Sequence, residues 1–88
     1  MPTSKSAEKR LRQSEKSRLR NRRRRNLVKA DVRSFEAALA AGDMDQAQQQ
    51  LRQVCKRLDQ VAAKGTIHKN TAARGKSRLS RRLQAAAH

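Results

Sequence analysis

The sequence predicts an all-α protein: an antiparallel three-helix bundle with a long first helix whose basic N-terminal half projects beyond the bundle. Three observations carry this. Apolar residues recur three and four apart in three separate stretches, the spacing of one helix face. Gly42 and Gly65 fall just past the first two stretches, where helices commonly end. The first stretch is also much longer than either of the others, so its partners cannot cover it.

The first helix is expected to start near Ser4 or Ser6, either of which suits an N-cap. Neither Pro nor Gly interrupts it until Gly42, which suits the C′ position after Leu39-Ala40-Ala41. That gives roughly 36 residues, about 54 Å at 1.5 Å each. Val28, Val32, Phe35 and Leu39 form a stripe in its second half. In the first half Ala7, Leu11 and Leu19 do not align. The second helix opens at Asp43, which pairs with Gln46 in the manner of a capping box. Met44, Ala47, Leu51, Val54, Leu58 and Val61 form its seam, and Lys64-Gly65 ends it after roughly 22 residues, about 33 Å. The third helix starts between Thr66 and Thr71 and runs to about Ala86, with Ala72, Leu79, Leu83 and Ala86 on its apolar face. Gly75 shares that face; it costs up to about 1 kcal/mol against Ala and either permits close helix approach or is neutral. Short links imply antiparallel neighbours. Residues 1–26 are therefore read as a basic arm and 27–88 as the helical bundle of one domain. The arm is expected to be frayed or disordered in the free protein, because neighbouring like charges oppose the helix.

Composition bounds the function. The chain has 88 residues, a net charge of +16 and 35% hydrophobic content, with Phe35 as its one aromatic. A chain this small buries a modest share of its surface, and self-repulsion works against compaction. The charge is uneven. Residues 1–33 carry +10, 34–63 carry −1 and 64–88 carry +7. Cys55 stands alone, so no intramolecular disulfide forms, and the chain suits a reducing cytoplasm. No apolar run approaches the ~20 residues of a membrane span. Met1 to Arg10 lacks the hydrophobic stretch of a secretory signal. Glu8 and Glu15 argue against a mitochondrial transit peptide.

Lys5 to Arg33 holds thirteen Lys or Arg against Glu8, Glu15 and Asp31. Successive helix residues step round by about 100°, so Arg22, Arg23, Arg24 and Arg25 point to four sides of the axis. One groove or one flat membrane cannot satisfy charge on every side; folded RNA surrounding the helix can. About eight phosphate contacts would give a log–log salt slope near −7 on duplex charge density. Arg outnumbers Lys from Arg18 to Arg25, which suits bidentate phosphate contacts. With Phe35 claimed by the core, aromatic stacking is not the main mode, and recognition rests on shape and backbone. Asn21, Asn26, Asn70, Gln13, Ser14, Ser17 and Ser77 lie among the cations as donors to phosphate or 2′-OH.

Enzyme signals are nearly absent. The acids are scattered, and Asp43 and Asp45 fit helix N-terminal roles. His68 and His88 are far apart with no Cys or His at ligand spacing, so neither a metal nor another cofactor is expected. The glycines form no phosphate-cradling loop.

The segment Lys64-Gly65-Thr66-Ile67-His68-Lys69-Asn70-Thr71-Ala72-Ala73-Arg74, followed by Lys76-Ser77-Arg78-Leu79, resembles the signature of the bacterial small-subunit ribosomal protein twenty family. Lys5-Ser6-Ala7, Lys9-Arg10, Arg12-Gln13-Ser14-Glu15, Arg18-Leu19-Arg20-Asn21 and Ala40-Ala41-Gly42-Asp43 resemble it too, so the likeness covers nearly the whole chain. It implies a three-helix bundle with a long first helix. It also implies direct, early binding to small-subunit (16S) ribosomal RNA, where the 5′ domain meets the long penultimate stem. The partners it implies are that RNA and other small-subunit components, with the protein a monomer within the ribosome. The family's RNA-contacting stretches fall here on two segments that charge also singles out. The first supplies Lys5, Lys9, Arg10, Arg12, Gln13, Ser14, Lys16, Arg18, Asn21, Arg22, Arg23, Arg24 and Arg25. The second supplies Lys64, His68, Lys69, Asn70, Arg74, Lys76, Ser77, Arg78, Arg81 and Arg82. Gly75 departs from the pattern, since the family usually carries a basic residue there.

The expected function is thus that of a non-enzymatic, structural constituent of the small ribosomal subunit. The alternative is a nucleoid-type DNA-architectural protein. Charge around the whole axis, and the lack of an apolar wedge or spare dimer seam, weigh against it. A membrane-active helix needs an apolar face opposite its charge, and Lys5 to Arg25 has none.

Overall fold

A computed structural model describes residues 5–87 as three helices and no strand. Helix α1 spans Lys5–Ala40 (36 residues), α2 spans Met44–Ala63 (20 residues) and α3 spans Lys69–Ala87 (19 residues). The all-α three-helix architecture is as the sequence predicts. At 1.5 Å per residue α1 is about 54 Å long and α2 about 30 Å, and the molecule measures 62 × 22 × 17 Å. Because α1 already includes Lys5, Ser6 lies inside its first turn and does not cap it; Ser4 lies outside the described residues.

Both turns are built the same way. Gly42 takes φ +75° and Gly65 φ +78°, the left-handed region that disfavours a Cβ. At the first turn Gly42 N–H donates to Leu39 C=O at 3.1 Å and Asp43 N–H to Ala38 C=O at 3.1 Å. At the second, Gly65 N–H donates to Ala62 C=O and Thr66 N–H to Val61 C=O, each at 3.0 Å. Each pair is a Schellman closure, which satisfies the last carbonyls of the helix and reverses the chain. Asp43 then caps α2, its carboxylate accepting from Gln46 N–H at 3.1 Å. The reciprocal half of a capping box does not form, because Asp43 N–H is already committed to α1. One residue both ends α1 and starts α2, and that fixes the antiparallel pairing.

The core is small. Phe35, Ala47 and Val54 are fully buried, with Ala38, Leu58, Val61, Ala72 and Leu79 nearly so. Val28, Val32, Leu39, Leu51, Ile67 and Leu83 pack at its margin. Ala86, expected on the α3 apolar face, is exposed because it lies in the last turn of that helix. Helix α2 sits between the other two and packs against both, whereas α1 and α3 scarcely touch. The Cβ position of Gly75 lies 3.3 Å from Leu58 Cδ1, so this glycine belongs to the α2–α3 contact.

Three ion pairs join the helices, one across each pair. Asp31 of α1 holds Arg57 of α2 at 3.0 Å, Asp59 of α2 holds Lys76 of α3 at 2.8 Å, and Glu36 of α1 holds Arg82 of α3 at 2.9 Å. The first is the best shielded, with side chains 27% and 18% exposed. The other two are exposed, and pairs of that kind contribute about 0–1 kcal/mol.

Candidate nucleic-acid interface

Helix α1 divides in two by what its side chains touch. From Asn21 onward a face of half-buried and buried residues recurs at helical spacing: Asn21, Arg24, Val28, Val32, Phe35 and Leu39. From Lys5 to Arg20 every residue except Ala7 is exposed, including Leu11 and Leu19. The helix itself does not break at the boundary. It runs on as a lone, charged rod of sixteen residues, about 24 Å long. Antiparallel packing against α2 explains the boundary, since α2 ends at Ala63 and the following link reaches α1 at Asn21 and Arg24.

That junction is a polar latch. Thr66 is only 7% exposed. Its hydroxyl donates to Asn21 Oδ1 at 2.9 Å and accepts from Arg24 Nη1 at 3.2 Å. Arg24 Nη1 also approaches Asn21 Oδ1 at 3.4 Å. A buried hydroxyl without partners is costly, and here Asn21 and Arg24 supply them. The apolar stripe is thereby continued by one polar turn before the rod leaves the bundle.

The sequence-derived contact residues thus fall into two groups. Lys5, Lys9, Arg10, Arg12, Gln13, Ser14, Lys16 and Arg18 stand exposed along the rod, as do Arg22, Arg23 and Arg25 beside the latch. An open furrow along the rod brings Arg10, Gln13, Ser14, Arg18 and Arg25 to one side. On α3, Arg74, Ser77, Arg78, Arg81 and Arg82 line a second furrow. Lys64, Lys69 and Asn70 are exposed around the α2–α3 link. Between the two regions Ser17, Arg20, Arg24 and Lys64 border a shared recess, so rod and link form one continuous basic surface.

The second group is already engaged within the chain. Asn21 and Arg24 form the latch. His68 Nδ1 accepts from Asn70 N–H at 3.0 Å and caps α3, which leaves only Nε2 available to another partner. Lys76 is held by Asp59, a hydrogen bond and a charge that raise its pKa. Arg82 is held by Glu36. Sequence reasoning missed these internal roles. For Asn21 and Arg24 the signal was present: they extend the Val28 stripe backwards at helical spacing.

Nothing in the described residues suggests catalysis. No group of three or more His, Cys, Asp or Glu converges among them. Burial pushes the Cys55 thiol up, as does Asp59, while Lys76 pulls it down, so it is a thiol and not an activated thiolate. No helix among the described residues is long and apolar enough to cross a membrane.

An all-helical polycation with an exposed basic rod, a second basic helix face and no catalytic cluster among its described residues has the form of a polyanion-binding scaffold protein. Comparison with known proteins makes the class specific. Residues 2–84 match the family described as ribosomal protein S20. Among similar curated proteins, the small ribosomal subunit protein bS20 of Natranaerobius thermophilus is 45% identical over 91% of each chain. That of Heliobacterium modesticaldum is 44% identical over 98% of each chain. That of a Mycobacterium species is 48% identical over 91% of this chain and 93% of the relative. The chain belongs to the ribosomal protein S20 family, a family of ribosomal components and not of enzymes.

Proposed function

We propose that this protein is a structural constituent of the small ribosomal subunit that binds small-subunit ribosomal RNA directly. The observation that carries the reading is the rod from Lys5 to Arg20, which is charged and, Ala7 apart, exposed. Such a segment gains most where phosphates approach it from several sides. The bundle acts as a rigid frame, the latch aims the rod, and the rod enters between RNA helices. There its guanidinium and ammonium groups screen phosphates that otherwise repel one another, and the RNA tertiary fold becomes favourable during assembly. The exposed cations of α3 and of the α2–α3 link extend the contact. The protein acts as a monomer among other small-subunit components, in the cytoplasmic ribosome. The family membership supports the subunit, and the charge distribution supports direct contact with RNA.

Competitive binding tests this reading. A transcript of the small-subunit ribosomal RNA 5′ domain is titrated with the protein against transfer RNA and duplex DNA across a salt series. Selective binding that persists near physiological salt is expected. Equal binding to all three, lost together as salt rises, would describe a non-specific polycation and would favour the DNA-architectural alternative.

A further inference from the structure

Helices α1 and α3 flank α2 without closing on each other, and the gap between them is an open trough of about 420 Å³. Val28 and Val32 form one wall, Leu79 the other, and Leu58 contributes to the lining. Gly75 adds no side chain, and a Cβ there would sit 3.3 Å from Leu58 Cδ1. The trough is apolar inside, and its edge carries Arg74, Arg78 and the Arg82–Glu36 pair, a net excess of cations. Arg74 and Arg78 stand one helical turn apart on the α3 side, and neither has an acidic partner among the described residues. Further along α3, the Arg82–Glu36 pair spans from one helix to the other at 2.9 Å.

We infer that this trough receives a single unstacked nucleotide of an RNA strand, its base against the apolar walls and its phosphate on Arg74 and Arg78. The inference rests on the RNA-binding reading above and adds a base-accepting point to an otherwise backbone-directed contact. Charge identifies the occupant. A second copy of this chain would bring +16 against +16. A nucleotide supplies both things the trough asks for, a flat apolar face and an anion beside it. Bases splayed from single strands stack elsewhere on guanidinium planes, and extruded bases are held between aromatic or apolar side chains. The volume lies within the ~300–1,000 Å³ range of small-ligand sites.

Methyl NMR of the full-length protein tests the inference. The probes are a single-stranded oligoribonucleotide, an abasic oligomer with the same number of phosphates, and a short RNA duplex. The single strand is expected to shift the methyls of Val28, Val32, Leu58 and Leu79, while the abasic oligomer and the duplex leave them unmoved. Gly75→Leu is expected to remove those shifts and weaken single-strand binding about tenfold, with duplex affinity unchanged within about twofold. The abasic control needs no variant, so the result stands whether or not Gly75→Leu folds. Trough methyls unmoved by the single strand, with RNA still bound through the arginines, would overturn the inference and leave the RNA-binding reading intact. Failure to bind any of the RNAs would overturn both. Methyl shifts that follow protein concentration without RNA would assign the trough to a second copy of the chain and overturn it as well.

Discussion

The rod and the bundle are made from one continuous helix, yet opposite rules govern them. From Val28 to Leu39 helix α1 is held by burial: Phe35 is fully enclosed and Val28 and Val32 pack at the core margin. From Lys5 to Arg20 it is held mainly by its backbone hydrogen bonds, with Arg20 Nη2 also donating to Ser17 Oγ at 3.4 Å, against the repulsion of its own charges. The difference teaches that a helix boundary and a structural boundary need not coincide. Nothing in the backbone marks the change. What marks it is the end of α2 and the latch at Thr66. The stable half has little charge to offer a polyanion, and the charged half has no packing to lose.

The most damaging change expected for the comparison is removal of Met1 to Arg18. It deletes six Lys or Arg. RNA affinity is expected to fall by about 100-fold or more, and the log–log salt slope to become shallower by about 4 to 5. The melting temperature of the free protein is expected to stay nearly unchanged. Isothermal or fluorescence binding and a circular dichroism melt read the two quantities separately. A large loss of thermal stability would show that the rod helps hold the bundle.

Truncation of the core reverses the pattern. Leu58→Ala removes a side chain packed between α2 and α3, and such truncations cost about 2–5 kcal/mol. In so small a core that unfolds the free bundle, which a melt detects directly. RNA restores part of the helical signal by binding the folded form. An unchanged melt would contradict the α2 seam.

A smaller effect is expected at the latch. Thr66→Val keeps the shape and removes both of the hydroxyl's hydrogen bonds, leaving Asn21 Oδ1 and Arg24 only their long 3.4 Å contact with each other. Losing such bonds costs about 1–2 kcal/mol. The melt should drop by that amount, and RNA affinity should fall although Thr66 carries no charge. Loss of stability with unchanged affinity would mean that the latch does not aim the rod.

The smallest effects are expected on α3. Gly75→Ala should stabilise the free bundle by up to about 1 kcal/mol through helix propensity, reduced by the close contact with Leu58. Asp59→Asn should change stability little, because Asp59 itself is exposed. The sign of the pH effect follows from the raised Lys76 pKa: the pair contributes fully at neutral pH and is lost only as alkaline pH passes that raised value. Replicate melts at neutral and alkaline pH would reveal a larger role if one exists.

Much of the fold was legible because its signals are local. Gly42 and Gly65 mark closures that need positive φ, Asp43 caps the helix that follows, and the Val54–Leu58–Val61 spacing marks a buried seam. Family resemblance and charge agreed on the basic segments. The engagements of Asn21 and Arg24 were legible only as a backward extension of the Val28 stripe, and those of Arg82, Lys76 and His68 were not legible at all. An arginine that meets Glu36 across 46 positions carries no mark distinguishing it from the exposed arginines beside it. The same holds for Thr66, whose partner Asn21 lies 45 positions earlier. The open α1–α3 side was hidden for another reason. Three apolar stripes suggest a closed bundle, but the stripe on α3 is interrupted by Gly75 and packs mainly on α2.

Hydrogen exchange of the backbone amides, compared between the free protein and its complex with the 5′-domain RNA, tests most directly the division of labour between rod and bundle. The account predicts fast exchange from Lys5 to Arg20 in the free protein and strong protection there once RNA is bound. Amides from Ala47 to Val61 should be protected in both states. A rod already protected in the free protein, or one still unprotected in the complex, would contradict it.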